Sequence, residues 1–322
     1  MVNLNSLDYG TLKWFIGVVE DRNDPDMLGR VRVRVYYYHT DNKDKIKTED
    51  LHWAIVLMPV TTSGVSGIGE TCGLVEGSTV MGFYLDPDNM QNPLIIGSLM
   101  GFASSDKDTS KGFNDPNGIY PRYEKGEADT NRHNRNAEED KTPVKWRKTN
   151  REKSIPLAFG GFWQEPETPY APQYPFNHVR ESEPEPKSDK ISADPPSNCG
   201  HIEEWDDTPG AARLYRQHKS GTFEEIHPNG QKVTKVIDNN VLIVQKDDMV
   251  YIKGNCNVTI EGNCNIKING NLNVDISGNK TEKIMGNYKQ TVLGNSDISV
   301  GGHYYDSSGV HRKSTAPRID LN

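Results

Sequence analysis

Nowhere in these 322 residues is there an apolar run of the roughly 18 residues that a membrane helix needs. The opening MVNLNSLDYG likewise lacks the charged-then-apolar start of a secretory leader. The sequence therefore predicts a chain made and kept in a cytoplasm. Positive charge is also short. A net charge of -8 and a pI near 5.6 exclude a binder whose affinity comes from neutralising phosphates, so no nucleic-acid partner is expected. The four cysteines, Cys72, Cys199, Cys256 and Cys264, form no C-x-x-C pair, and reduced thiols fit better than a disulfide framework. Nine histidines occur without H-x-H, H-E-x-x-H or Cys/His spacing, which argues against a zinc site. Apolar residues are scarce as well. With 34% hydrophobic residues and a mean hydropathy of -0.74, part of the chain must be extended, disordered or buried against other chains.

What is present begins with strands. Residues 14–20, 30–39, 53–60, 78–85 and 93–101 are rich in β-branched and aromatic residues, and turn chemistry separates them. Five strands in so short a stretch predict a small closed barrel of the OB type over residues 1–103, since closure removes exposed edges. In GRVRVRV (29–35) Arg alternates with Val, which reads as a half-buried strand with a solvated face. GVSGIGE (64–70) lacks the G-K-[ST] ending of a phosphate loop and reads as a tight loop between strands. Ser63 and Ser66 have no G-x-S-x-G context, so neither is a nucleophile candidate.

Residues 104–199 lose this pattern. Twelve of the 19 prolines fall there, with few periodic apolar residues, so the interval is predicted to be an extended Pro-rich linker without a core. Its scattered aromatics, Phe159, Phe162, Trp163, Tyr170, Tyr174 and Phe176, are available to anchor it on a neighbouring surface. Paired carboxylates that cleave glycosides need a fixed separation on a rigid scaffold. Glu138, Glu139 and Asp140 stand in a charge run instead, and no catalytic residue is assigned. Strand-like alternation returns over 200–240, with turns at DDTPG, KSG and HPNG, and predicts an antiparallel segment leading onward.

Glycine then recurs at 254, 262, 270, 278, 286, 294 and 302, a spacing of eight residues. Two residues before each stands Ile252, Ile260, Ile268, Ile276, Ile284, Val292 or Val300. Because eight is even, a strand's period-two side chains return to the same face in every repeat. Even positions such as Cys256, Val258, Cys264 and Ile266 make a dry face, and odd positions such as Asn255, Asn257 and Thr259 a wet one. The glycine is expected at a turn whose backbone other residues avoid. Val236 and Val244 carry the frame backwards, with Asp238 and Lys246 in the glycine slot. An eight-residue unit supplies one side of a prism, and three intertwined chains complete it. The expected fold of 241–322 is thus a trimeric triple-stranded β-helix, with Cys256 and Cys264 as small core fillers. Lys280, Glu282, Gln290 and Ser296 break the inward rule. They predict a polar layer satisfied across the threefold axis, with a bound-ion layer as the alternative.

Together these motifs resemble the central spikes of contractile phage tails, the baseplate hub spikes of T-even phages, and more distantly the valine-glycine spikes of type VI secretion. The segments that carry the resemblance are residues 14–35, SGIGE (66–70), GFNDPNGIYPR (112–122), GHIEEWDDTPG with SGTFEEIHPNG, and the octads. It implies an all-β homotrimer located in the virion's tail baseplate. The barrel would dock on the baseplate hub ring, and the needle would make transient contact with the host outer membrane and puncture it on sheath contraction. The ending STAPRIDLN (314–322) is similar to the terminus that receives a PAAR-type tip protein. In the T-even protein a lysozyme domain lies between barrel and needle. Here the interval is too short for it, so the expectation is a non-enzymatic spike with no cofactor. The competing expectation is a muralytic tail spike. Some related spikes hold iron in an H-x-H motif near the tip; His303 and His311, eight apart, do not form it, and no metal ligand is assigned.

Overall fold

The computed structural model describes residues 12–66, 68–100, 110–113, 129–134, 139–184 and 199–315. Gly67, most of the segment 112–122, Glu138 and the ending after Thr315 lie outside the described residues. The chain divides into two units, residues 1–261 and 262–322.

The first unit opens on β1 (Trp14–Asp21), β2 (Val31–Val35), β3 (Trp53–Val56), β4 (Thr79–Tyr84) and β5 (Pro93–Ser98). They close into a barrel in the order β1-β2-β3-β5-β4, with β3 and β5 parallel and the other pairings antiparallel. The five strands fall where β-branched and aromatic residues predict them. Their inward positions, among them Phe15, Val19, Val31, Val33, Ala54, Val80 and Ile95, form one apolar core.

The outward face of β2 departs from expectation. Arg34 is fully buried rather than solvated, as is its partner Glu20 on β1. Arg34 donates to both carboxylate oxygens of Glu20 and, at 2.7 Å, to the carbonyls of Thr40 and Ile46. Thr48 Oγ1 donates to the same carboxylate at 2.8 Å. The loop after β2 thus folds back over its own strand, because a guanidinium with a full set of oxygen acceptors tolerates burial. Gly112 closes this lid: a Cβ there would lie 2.3 Å from Arg34 Cδ.

A second, five-stranded antiparallel sheet follows, in the order β12-β11-β10-β9-β8. Four strands, β9 (Ile202–Asp206), β10 (Arg213–Gln217), β11 (Phe223–Ile226) and β12 (Lys232–Lys235), make the expected meander. The fifth is not where the sequence reading put structure. β8 (Asn177–Glu181) comes from the interval read as an extended linker without a core. That interval also supplies the helix α1 (Val144–Thr149) and a small hairpin of β6 (Ile155–Pro156) and β7 (Phe162–Trp163). The linker expectation is therefore corrected: 139–184 folds back onto the second sheet and covers one of its faces. Its polar residues meet a mixed face, on which the buried Glu204, Asp206, Arg213, Gln217 and Glu225 stand beside Ile202, Tyr215 and Phe223.

Past Lys235, no strand pairing occurs within the chain among the described residues. The backbone nevertheless bends at a fixed interval, at 237–238, 245–246 and 253–254, and then every eight residues to 309–310. The octad is a period of the backbone as well as of the sequence. It includes the two early repeats in which Asp238 and Lys246 replace glycine.

Candidate functional site

Every described residue from 238 to 315 is exposed in the single chain, so the octads present surface rather than enclose it. That surface is ordered. The β-branched residue two places before each glycine is the better covered, from 46% exposed at Val292 to 53% at Ile260, whereas Val258, Ile266 and Val274 of the same parity are 70–80% exposed. Residues two apart share a face. Lys280 Nζ lies 3.0 Å from a Glu282 carboxylate oxygen, and Tyr288 Oη donates to Gln290 Oε1 at 3.2 Å. Glu282 raises the Lys280 ammonium above its ordinary pKa through this hydrogen bond and its charge. Of the inward-parity polar residues, Lys280, Glu282 and Gln290 are thus already paired within the chain.

The repeat glycines do not do what the sequence reading asked of them. None of those at 254, 262, 270, 278, 286, 294 and 302 has a left-handed backbone. An added Cβ would meet none of the described residues within 4 Å at any of them. Neither backbone conformation nor a described neighbour selects glycine there, in contrast to Gly160 and Gly161, whose φ of 100° and 87° turn the β6–β7 hairpin.

The sheet that leads into the octads carries a buried charge cluster that the sequence reading missed. Arg213 on β10 pairs with Glu204 on β9 at 2.5 Å and with Glu225 on β11 at 2.9 Å. From the covering segment, Arg147 of α1 reaches Glu225 and packs over the rings of Phe223 and Tyr215 at 4.0 and 4.5 Å. Thr168 Oγ1 donates to Glu225 at 2.7 Å, and Asn177 Nδ2 of β8 donates to Glu204 at 2.7 Å. His227 and His133 stand 3.0 and 3.5 Å from Glu225 and Glu204. Burial would raise both carboxyls, but the cations and donors outweigh it. Glu225 is brought down to about 2, chiefly by Arg147 and Arg213, and Glu204 falls well below the carboxylate range through His133, Arg213 and Asn177. Both are therefore anions at neutral pH. Glycoside cleavage needs one carboxyl kept protonated as an acid, and neither serves. The available signal was the alternation itself: IEEWD and RLYRQ place acid and base on one face of adjacent strands.

The other residues weighed from the sequence are dispersed. Glu139 pairs with Lys148 at 2.5 Å on the surface of the covering segment. Ser66 has a φ of 53° beside the Val65–Ile68 bridge, in the tight loop between β3 and β4. All four cysteines are free. Cys199 is buried beside Gln217, and burial raises its thiol to about 11. Among the described residues no three or more His, Cys, Asp or Glu side chains form a group able to hold a metal ion, and no helix is long and apolar enough to cross a membrane.

Comparison with known proteins adds three findings. Residues 37–165 match the Gp5 N-terminal OB domain family, a match that starts just after β2 and runs through β3, β4 and β5 into the covering segment. Over 279 residues, 76% of this chain, the sequence is 40% identical to Protein Gp5 of Vibrio phage KVP40, and the match covers 62% of that protein. Over 117 residues, 34% of this chain, it is 44% identical to the Pre-baseplate central spike protein Gp5 of Enterobacteria phage T4, covering 20% of that protein. The chain thus spans less than two thirds of the length of either relative.

Proposed function

We propose, from the premise that this chain belongs among the Gp5 central spike proteins of phage tail baseplates, that it is the structural central spike of a contractile tail. In this reading three copies intertwine through their octads into a triple-stranded β-helix. The barrel docks on the hub ring, and the needle's far end receives a PAAR-type tip protein. Sheath contraction then drives the assembly through the host outer membrane.

The observation that carries this reading is the octad surface. The half-covered Ile and Val rows need neighbours, and completing the burial of each such side chain contributes about 1 kcal/mol. The glycines need a reason that one chain does not give. Strands of other copies stacked at about 4.8 Å supply both, since close backbone approach leaves no room for a Cβ. Intertwining also explains stiffness, because no subunit bends or peels away alone.

The spike is further proposed to act without chemistry of its own. The interval between barrel and needle holds the covering segment where the T-even spike has a lysozyme domain, and its sheet's buried carboxylates are tied to arginines. Immunogold labelling of virions with antibody raised against the octads tests the location. Label at the tail tip is expected, and label confined to the capsid or tail fibres overturns the reading. A peptidoglycan zymogram of the purified chain tests the non-enzymatic part: no clearing is expected, and clearing would assign lysis to the chain.

A further inference from the structure

The β6–β7 hairpin, residues 155–163, is held firmly yet leaves its aromatic side chains uncovered. Ile155 pairs with Trp163 and Pro156 with Phe162. Just beyond it, Glu165 takes an ion pair at 2.8 Å from Lys235 of β12, whose Nζ also donates to the Asn150 carbonyl at 2.9 Å. The hairpin is therefore fixed to the strand that leads into the octads. Thr259 Oγ1 donates to the Pro156 carbonyl at 2.6 Å, which puts the hairpin on the outer, odd-numbered face of the third octad, 254–261. Phe159, Phe162 and Trp163 remain exposed there, Phe162 by 68%.

The outer faces of the first two octads, 238–245 and 246–253, are unlike those that follow. Their third and fifth positions after the glycine slot are Val241 and Ile243, then Met249 and Tyr251. In the third and fourth octads the same positions hold Asn257 and Thr259, then Asn265 and Lys267. An apolar residue on a face that is otherwise polar signals something that covers it. Among the described residues nothing does: Met249 is 89% and Tyr251 84% exposed. One chain thus holds an uncovered aromatic hairpin and an uncovered apolar patch that do not meet.

We infer that the hairpin is a brace that seats on the second octad of a neighbouring copy, with Phe159, Phe162 and Trp163 over Met249 and Tyr251. The inference rests on the three-chain reading above. When three chains wind with one octad on each side of a prism, the third octad of one chain stacks on the second octad of the next. Their equivalent positions are then about 4.8 Å apart, so the partner's Tyr251 comes next to Thr259 of the first chain. A two-stranded hairpin is itself one strand spacing wide, so one lying on Thr259 overlaps that neighbouring strand. Each copy then clamps the next at the needle's base, where the chains enter it.

A photoreactive benzophenone amino acid in place of Phe162 in the full chain tests this. After irradiation and complete denaturation, the expected product is a two-chain species in which position 162 is joined to peptide 246–253. That product is lost when Met249→Asp and Tyr251→Asp are introduced together, substitutions on the outer face that leave the inward rows intact. A link confined to one chain, or joining two chains elsewhere, overturns the brace. Sedimentation of the same sample before irradiation separates the two readings. A trimer without the 162-to-octad link overturns the brace alone, and a monomer overturns the three-chain reading beneath it.

Discussion

Arg213 stands between Glu204 and Glu225 with its side chain wholly buried, and the second sheet depends on that neutralisation. Replacing Arg213→Met leaves two buried carboxylates short of a cation, which costs about 3–5 kcal/mol. Amide hydrogen exchange of β9 to β11 should lose protection accordingly, and protection unchanged from the native chain would contradict the cluster's role. The same residues fix an acid dependence. Glu225 falls from an ordinary 4.5 to about 2 in the folded chain. Its contribution is therefore complete above pH 4.5 and lost as the pH falls from there toward 2. Protection of these strands should decline through that window, and a flat profile would count against the pairing. In the needle, Lys280 and Glu282 pair along one face, and in the proposed trimer three such pairs face the axis. Lys280→Met alone should lower the melting temperature of the assembly by stranding a carboxylate. Lys280→Met with Glu282→Leu should restore it, since an apolar pair of similar volume replaces a buried ion pair at little or no cost.

At the scale of elements, the barrel was legible because its strands carry alternating β-branched residues bounded by turns. The meander β9 to β12 was legible because DDTPG, KSG and HPNG fall between its strands. β8 was not. Asn177, His178, Arg180 and Glu181 surround a single apolar residue, Val179, and a strand that buries Asn177 against Glu204 has no hydrophobic period to read. Arg34 was misread for a related reason. Its burial depends on Glu20, which is distant in sequence, and on carbonyls of a loop with no pattern. The octads were legible as a period, but the purpose of their glycines was not: no described atom of the same chain crowds them, and only the proposed trimer supplies a neighbour. Gly270→Val tests that purpose. With none of the described residues within 4 Å of the new Cβ, the barrel and second sheet should keep their circular dichroism and melting. Assembly through the octads should fail, and normal assembly would contradict close approach at that position.

At the scale of the whole molecule, the barrel and the second sheet each hold a small apolar cluster, and the described residues from 238 to 315 are exposed in the single chain. In the proposed trimer, one octad per prism side, repeated, gives a part whose stiffness comes from sharing hydrogen bonds between chains. In that arrangement each copy would supply only part of the apolar interior, which fits a chain with a mean hydropathy of -0.74. The association of the full chain tests this most directly. Sedimentation equilibrium at micromolar concentration should give three times the chain mass of 36.1 kDa, unchanged on dilution because intertwined chains do not separate without unfolding. A mass equal to one chain, or one that falls progressively with dilution, would contradict the intertwined needle.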